Sequence, residues 1–136
     1  MKQKTVLKMA SEKYFGPHVT LDMRQCNRHK LSNVEGVFNI LNDLPDHIGM
    51  TKITQPYVFP YSGLVPEDKG ITGMVIIAES HISIHTFADK DYVFVDIFSC
   101  KSFDVDKAIQ FVVDAFEAKK VTTNIVNRGL DFPRDE

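Results

Sequence analysis

The sequence predicts an α+β fold: a two-layer sandwich, an antiparallel sheet with two helices on one face. Three observations lead there. About six short segments carry strand patterns and only two carry a helical stripe. The strand segments lie next to one another in the chain while the helical ones are well separated, which favours antiparallel pairing. Hydrophobic residues make up 43% of the 136, enough for one core of modest size. The chain therefore reads as one domain, 1–136, and a dimer interface would help it bury surface.

Residues 1–15 read as a loosely held leader. Residues 18–23 alternate and read as a first strand. Ser32-Asn33-Val34-Glu35 looks like a capping box. Val34, Val37, Phe38, Leu41 and Leu44 then fall on one helical stripe, which Pro45 is expected to end. A second strand is expected over 51–59, weakened by Pro56, followed by a Pro- and Gly-rich loop over 60–70. Residues 71–78 read as a buried strand, because Met74-Val75-Ile76-Ile77 is apolar throughout.

After a break at Glu79-Ser80 a new strand spans 82–86. Its alternation puts His81, Ser83 and His85 on one face, Ile82 and Ile84 on the other. Residues 92–99 are the clearest strand, with Val93, Val95 and Ile97 facing one way and Phe94, Asp96 and Phe98 the other. A second helix is expected over 104–119, with Asp104 as cap and Val105, Ala108, Ile109, Val112, Ala115 and Phe116 as its apolar face. Residues 121–126 are β-branched and read as the last strand. Residues 128–136 read as a polar tail.

Composition excludes several classes. Net charge is -2, with 16 basic against 18 acidic residues, and no Lys/Arg block reaches five. A nucleic acid or anionic membrane is therefore not the expected partner. No apolar run approaches the roughly 18 residues of a membrane span. The basic start, Met1 to Lys8, lacks an apolar segment after it and is no signal peptide. Two cysteines, Cys26 and Cys100, make no disulfide framework and fit a reducing, cytoplasmic setting. They are too few for a four-ligand structural zinc site without histidines.

The chemistry concentrates between Glu79 and Cys100. A serine hydroxyl can attack the carbonyl carbon of the residue before it, given a base and oxyanion donors. Attack by Ser80 on Glu79 would give an ester. Loss of the Ser80 α-proton to a histidine would expel the Glu79 carboxylate and leave, after hydrolysis, a pyruvoyl group capping residue 81 onward. Such a ketone beside an amide is an electron sink. His18 and His29 read as ordinary surface or packing residues, and Cys26 as structural.

The run from Glu79 to Phe87, Glu-Ser-His-Ile-Ser-Ile-His-Thr-Phe, with Asp96-Ile97-Phe98-Ser99-Cys100, resembles the short prokaryotic S-adenosylmethionine decarboxylases, which are pyruvoyl enzymes. Gly16-Pro17-His18 with Asp22, and Gly70-Ile71-Thr72-Gly73, add to the resemblance, which covers about residues 16–125. It implies cleavage between Glu79 and Ser80 into 1–79 and 80–136, with the pyruvoyl cofactor derived from Ser80 and no metal. It implies that His85 serves processing, that Cys100 protonates the substrate carbon after carbon dioxide leaves, and that Thr72 stands where the family has an assisting serine. Glu79 is the implied new C-terminus and a pocket residue. A homodimer with pockets near its interface is also implied; Phe94 and Phe98 are candidates for that contact.

The substrate stays open at this point. The family's default is S-adenosylmethionine, whose product serves spermidine synthesis. Where the family has aromatic-Pro-Glu after His85-Thr86, this chain has Phe87-Ala88-Asp89. Phe87 keeps a ring for stacking on adenine. The change also fits a switch to L-ornithine or L-arginine, whose distal cation Asp89, Asp91 or Glu67 would pair with. A third reading is an unprocessed homologue acting as a regulatory subunit.

Overall fold

Strict alternation sorts the strands into a buried and an open side. In β1 (Gly16–Arg24), Val19, Leu21 and Met23 are fully buried, while His18, Thr20 and Asp22 face the other way. The computed structural model describes residues 13–134, so most of the expected leader and the last two residues lie outside the described part. After β1 come a short helix α1 (Arg28–Leu31), α2 (Val34–His47), β2 (Tyr57–Tyr61), β3 (Gly70–Ile77) and β4 (Ser80–Phe87). Then follow β5 (Tyr92–Phe98), α3 (Val105–Phe116) and β6 (Lys120–Arg128). The six strands form one sheet in the order β2-β3-β4-β5-β1-β6, each neighbouring pair antiparallel.

The buried side carries Val75, Ile77, Ile82, Ile84, Val93, Val95 and Ile97 against Val37, Leu41 and Leu44 of α2 and Ala108, Val112 and Phe116 of α3. Each Val, Leu, Ile or Phe among them contributes about 1.5–3 kcal/mol by leaving water. The α+β sandwich expected from the sequence is the observed fold. The additional helix α1 is one turn, capped by the Asn27 side chain on the amides of His29 and Lys30. The Thr86 hydroxyl ties it to the sheet, donating to Leu31 O and accepting from Ile71 N, both at 2.8 Å.

Several boundaries differ from the sequence reading. The cap of α2 is Asn33, whose side chain accepts from Gly36 N, while Ser32 closes α1. Pro45 does not end α2; it lies inside the last turn, where its buried ring packs on the core and offsets the lost hydrogen bond. The strand expected over 51–59 begins only after Pro56, and residues before it add a single bridge, Lys52 to Ile77. β2 is an edge strand, so it tolerates Pro60 opposite Ile71. α3 stops at Phe116, because Glu117 takes a left-handed conformation (φ 53°) that ends the helix before Lys119. The expected polar tail also packs: Arg134 donates to the carbonyls of Phe15 and Cys100.

The open side of the sheet has no layer over it among the described residues. Tyr57, Phe59, Tyr61, Met74, Ile76 and Phe94 stand exposed there.

Candidate active site

Ser80 opens β4 straight after the turn at Ala78-Glu79, so the Glu79–Ser80 bond sits at the tip of the β3–β4 hairpin. The Ala78–Glu79 peptide is cis. Ile77 pairs with Ser80 to close the hairpin. The Ser80 side chain shares the buried side with Ile82 and Ile84, and its Oγ is buried with no hydrogen-bond partner. A buried hydroxyl without a protein partner is costly. Glu79 is exposed.

Cys100 approaches this hairpin from the end of β5. Its thiol donates to Ala78 O at 3.2 Å and accepts from Glu79 N at 3.4 Å. The backbone there is fixed from three directions. Ser99 N donates to Pro17 O at 3.0 Å, the buried Ser99 hydroxyl donates to Lys101 O at 2.6 Å, and Arg134 donates to Cys100 O at 2.9 Å. Gly16 completes the fit: a Cβ there would sit 1.9 Å from Ser99 O. Cys26, by contrast, is buried away from the hairpin, and burial, helped by the Asp91 charge, pushes its thiol up to about 11.

Thr72 and His85 form a separate group. They face each other across β3 and β4 on the open side, with Thr72 Oγ1 3.4 Å from His85 Nδ1. Both line a cleft of about 580 Å³ together with Phe59, Tyr61, Leu64, Asp68 and Phe87. Phe87 stands edge-on to Phe94 at 5.7 Å. Glu67 and Asp89 are exposed and lie outside the cleft lining; Asp89 is 3.9 Å from Lys69. Asp68, which sequence reasoning passed over, lines the cleft and pairs with Lys90 at 2.6 Å.

Ser80 and His85 are five positions apart on one strand. At about 3.3 Å per residue that is roughly 16 Å, and the odd spacing turns them to opposite faces. Within one chain, then, the thiol and Ser80 form one group and Thr72 and His85 another.

Sequence reasoning also missed a row on the open side beside the hairpin. His18, expected as an ordinary surface or packing residue, hydrogen-bonds Asp96. His81 Nε2 lies 3.5 Å from the other Asp96 oxygen, and Arg128 reaches His18 Nδ1 at 2.8 Å. The available signal was Asp96, the one carboxylate on the Phe94–Phe98 face.

Comparison with known proteins joins this geometry to a class. Residues 17–129 match the family profile of S-adenosylmethionine decarboxylase. An S-adenosylmethionine decarboxylase proenzyme of Thermodesulfovibrio yellowstonii is 32% identical over 124 residues, covering 89% of this chain and 86% of that protein. The proenzyme of Clostridium botulinum strain Hall is 34% identical over 118 residues, covering 86% and 97%. The crystal structure of the adenosylmethionine decarboxylase from Aquifex aeolicus superposes with a TM-score of 0.75 at 25% identity, covering 91% of this chain and 97% of the other. The chain belongs to the S-adenosylmethionine decarboxylase family.

Proposed function

We propose that the chain is a self-processing, pyruvoyl-dependent decarboxylase of S-adenosylmethionine. The observation that carries this is the pairing at one hairpin of an unpartnered, buried Ser80 Oγ with the Cys100 thiol, 3.2 Å from Ala78 O. Family membership supports it independently.

In the uncleaved chain Ser80 Oγ attacks the Glu79 carbonyl carbon, and the Ser80 nitrogen is released from that acyl group. Loss of the Ser80 α-proton then expels Glu79 as a carboxylate. Water releases the nitrogen of residue 80 as ammonia, and a pyruvoyl group remains on residue 81. The residues suit such a group: a three-carbon cap at position 80 needs no hydrogen-bond partner for the lost hydroxyl. When formed, the group supplies a ketone conjugated to an amide, which takes up the electron pair freed by carbon dioxide. Cys100 is half-buried at the hairpin, so its thiol is in position to hand a proton to the substrate carbon.

Two copies of the chain complete the site in this reading. Thr72 and His85 are too far from Ser80 of their own protomer, and the exposed apolar open face suits a second copy. The partner's Thr72 and His85 would then approach the Glu79–Ser80 peptide from outside, at the hairpin tip where Glu79 is exposed. The aromatic cleft of Phe59, Tyr61 and Phe87 suits a stacked adenine.

L-Ornithine or L-arginine fits less well. Asp68, Asp89 and Asp91 already pair with Lys90, Lys69 and Arg28, and Glu67 stays outside the cleft. A cytoplasmic location accords with two free cysteines. Among the described residues no helix is long and apolar enough to cross a membrane.

Intact mass and carbon dioxide release test the reading. The 15.5 kDa chain should divide, in proportion to residues, into pieces of about 9.0 and about 6.5 kDa. Carboxyl-labelled S-adenosylmethionine should release carbon dioxide, and ornithine and arginine should not. A single full-length mass would overturn self-processing; release from an amino acid alone would overturn the substrate.

A further inference from the structure

We propose that His81 is a positioning residue for the end of β4 that cleavage creates, held by Asp96 and through it by His18 and Arg128. The proposal rests on the processing reading above.

The hydrogen bonds give the row a direction. A guanidinium only donates, so Arg128 Nη1, 2.8 Å away, makes His18 Nδ1 an acceptor. The ring proton is therefore on Nε2, which donates to Asp96 Oδ1. Asp96 Oδ2 faces His81 Nε2 at 3.5 Å. The row thus crosses β6, β1, β5 and β4. The Phe98 ring lies beneath it, with the ring centres of His18 and His81 at 5.1 and 5.8 Å and the Arg128 guanidinium carbon at 4.9 Å.

His18, His81 and Asp96 are also close enough to gather round a metal ion, their ligand atoms lying within 4.8 Å of one another. A metal on His18 Nε2 would need the proton on Nδ1, with an acceptor beyond it. Arg128 is a donor at that place, so the geometry points to a proton-ordered clamp.

The register says why position 81 needs one. β5 pairs with β4 from His81 onward, opposite Phe98, whereas Ser80 pairs only with Ile77 of β3. Breaking the 79–80 bond turns residue 80 into a chain end, and chain ends fray. His81 becomes the first residue held by ladders on both sides. Its ring faces Asp96 at 3.5 Å and packs against Phe98, and its backbone nitrogen carries the Ser80-derived group. The clamp matters after cleavage; before it, the peptide bond to Glu79 does the holding.

Four proteins decide this: wild type, His81→Gln, Asp96→Asn and the double variant, each scored for cleaved fraction, melting temperature, KM and kcat. All four should cleave to completion. kcat should fall about tenfold or more in each variant, since a shift near 1 Å at a reacting group costs up to about 100-fold. KM should stay within about twofold, and the double variant should be no worse than the worse single one. Arg128→Gln, at the far end of the row, should show a smaller loss of the same kind and serves if Asp96→Asn does not fold. Unchanged kcat in every variant, losses that multiply, or blocked cleavage would each overturn the clamp. Wild type that neither cleaves nor releases carbon dioxide would instead overturn the function proposed above.

Discussion

Removing the Ser80 hydroxyl should make the uncleaved chain more stable. Ser80 Oγ is buried and has no hydrogen-bond partner. A buried hydroxyl in that state costs about 1–3 kcal/mol relative to one in water. Ser80→Ala deletes this one atom and leaves a void smaller than a methyl group, which costs about 1 kcal/mol or less. The balance is a gain of about 1 kcal/mol, read as a rise of about 3–5 °C in melting temperature for a domain of this size. Wild type is an unsuitable reference, because a chain cut at 79–80 unfolds from another covalent state. The comparison belongs in a His85→Ala background, which the proposed processing leaves whole, with intact mass as the check. Calorimetry of His85→Ala against His85→Ala/Ser80→Ala then gives the difference directly. Equal or lower melting of the double variant would refute the reasoning, since the hydroxyl would then be satisfied, for instance by water.

Three further outcomes are expected. Cys100→Ala should cleave into the two pieces but lose about 10²–10⁴-fold in kcat, the range for a displaced general acid; wild-type turnover would remove the thiol from the chemistry. Thr72→Val keeps the shape and loses the hydroxyl 3.4 Å from His85 Nδ1, so the half-time of cleavage on gels should lengthen while the fold, by circular dichroism, stays. Cys26, raised from 9.0 to about 11 by burial, should resist iodoacetamide at pH 8.5 in the native protein while Cys100 is alkylated. Because its folded value is the higher one, the stability tied to its neutral thiol is complete below pH 9 and is lost as pH rises toward 11, which urea titrations at pH 8 and 10 would show.

Much of the fold was legible because burial writes itself as alternation. Val93, Val95 and Ile97 announced β5, and the stripe of α3 announced its packing face. The errors sit where one residue has two uses. Ser32 looked like a cap and closes the preceding helix; Pro45 looked like a stop and fills the core. Pro60 reads as loop, although an edge strand accepts it. The sequence points to Ser80, Cys100, Thr72 and His85 but not to their separation, with Ser80 and His85 about 16 Å apart on opposite faces. A strand pattern assigns faces along one element and says nothing of what a second copy brings. Arg128 and His18 meet across two strands and 110 positions, a pairing that only register can reveal.

Gly16 lies at the far edge of this chemistry and touches no reacting atom. Van der Waals contact begins near 3.0 Å, so alanine there must drive the carbonyl of Ser99 back by about 1 Å. The thiol is carried on the next residue and would travel with it. If the thiol acts as proposed, a methyl group added at position 16 would show up in a genetic screen as a defect with no substrate contact to explain it.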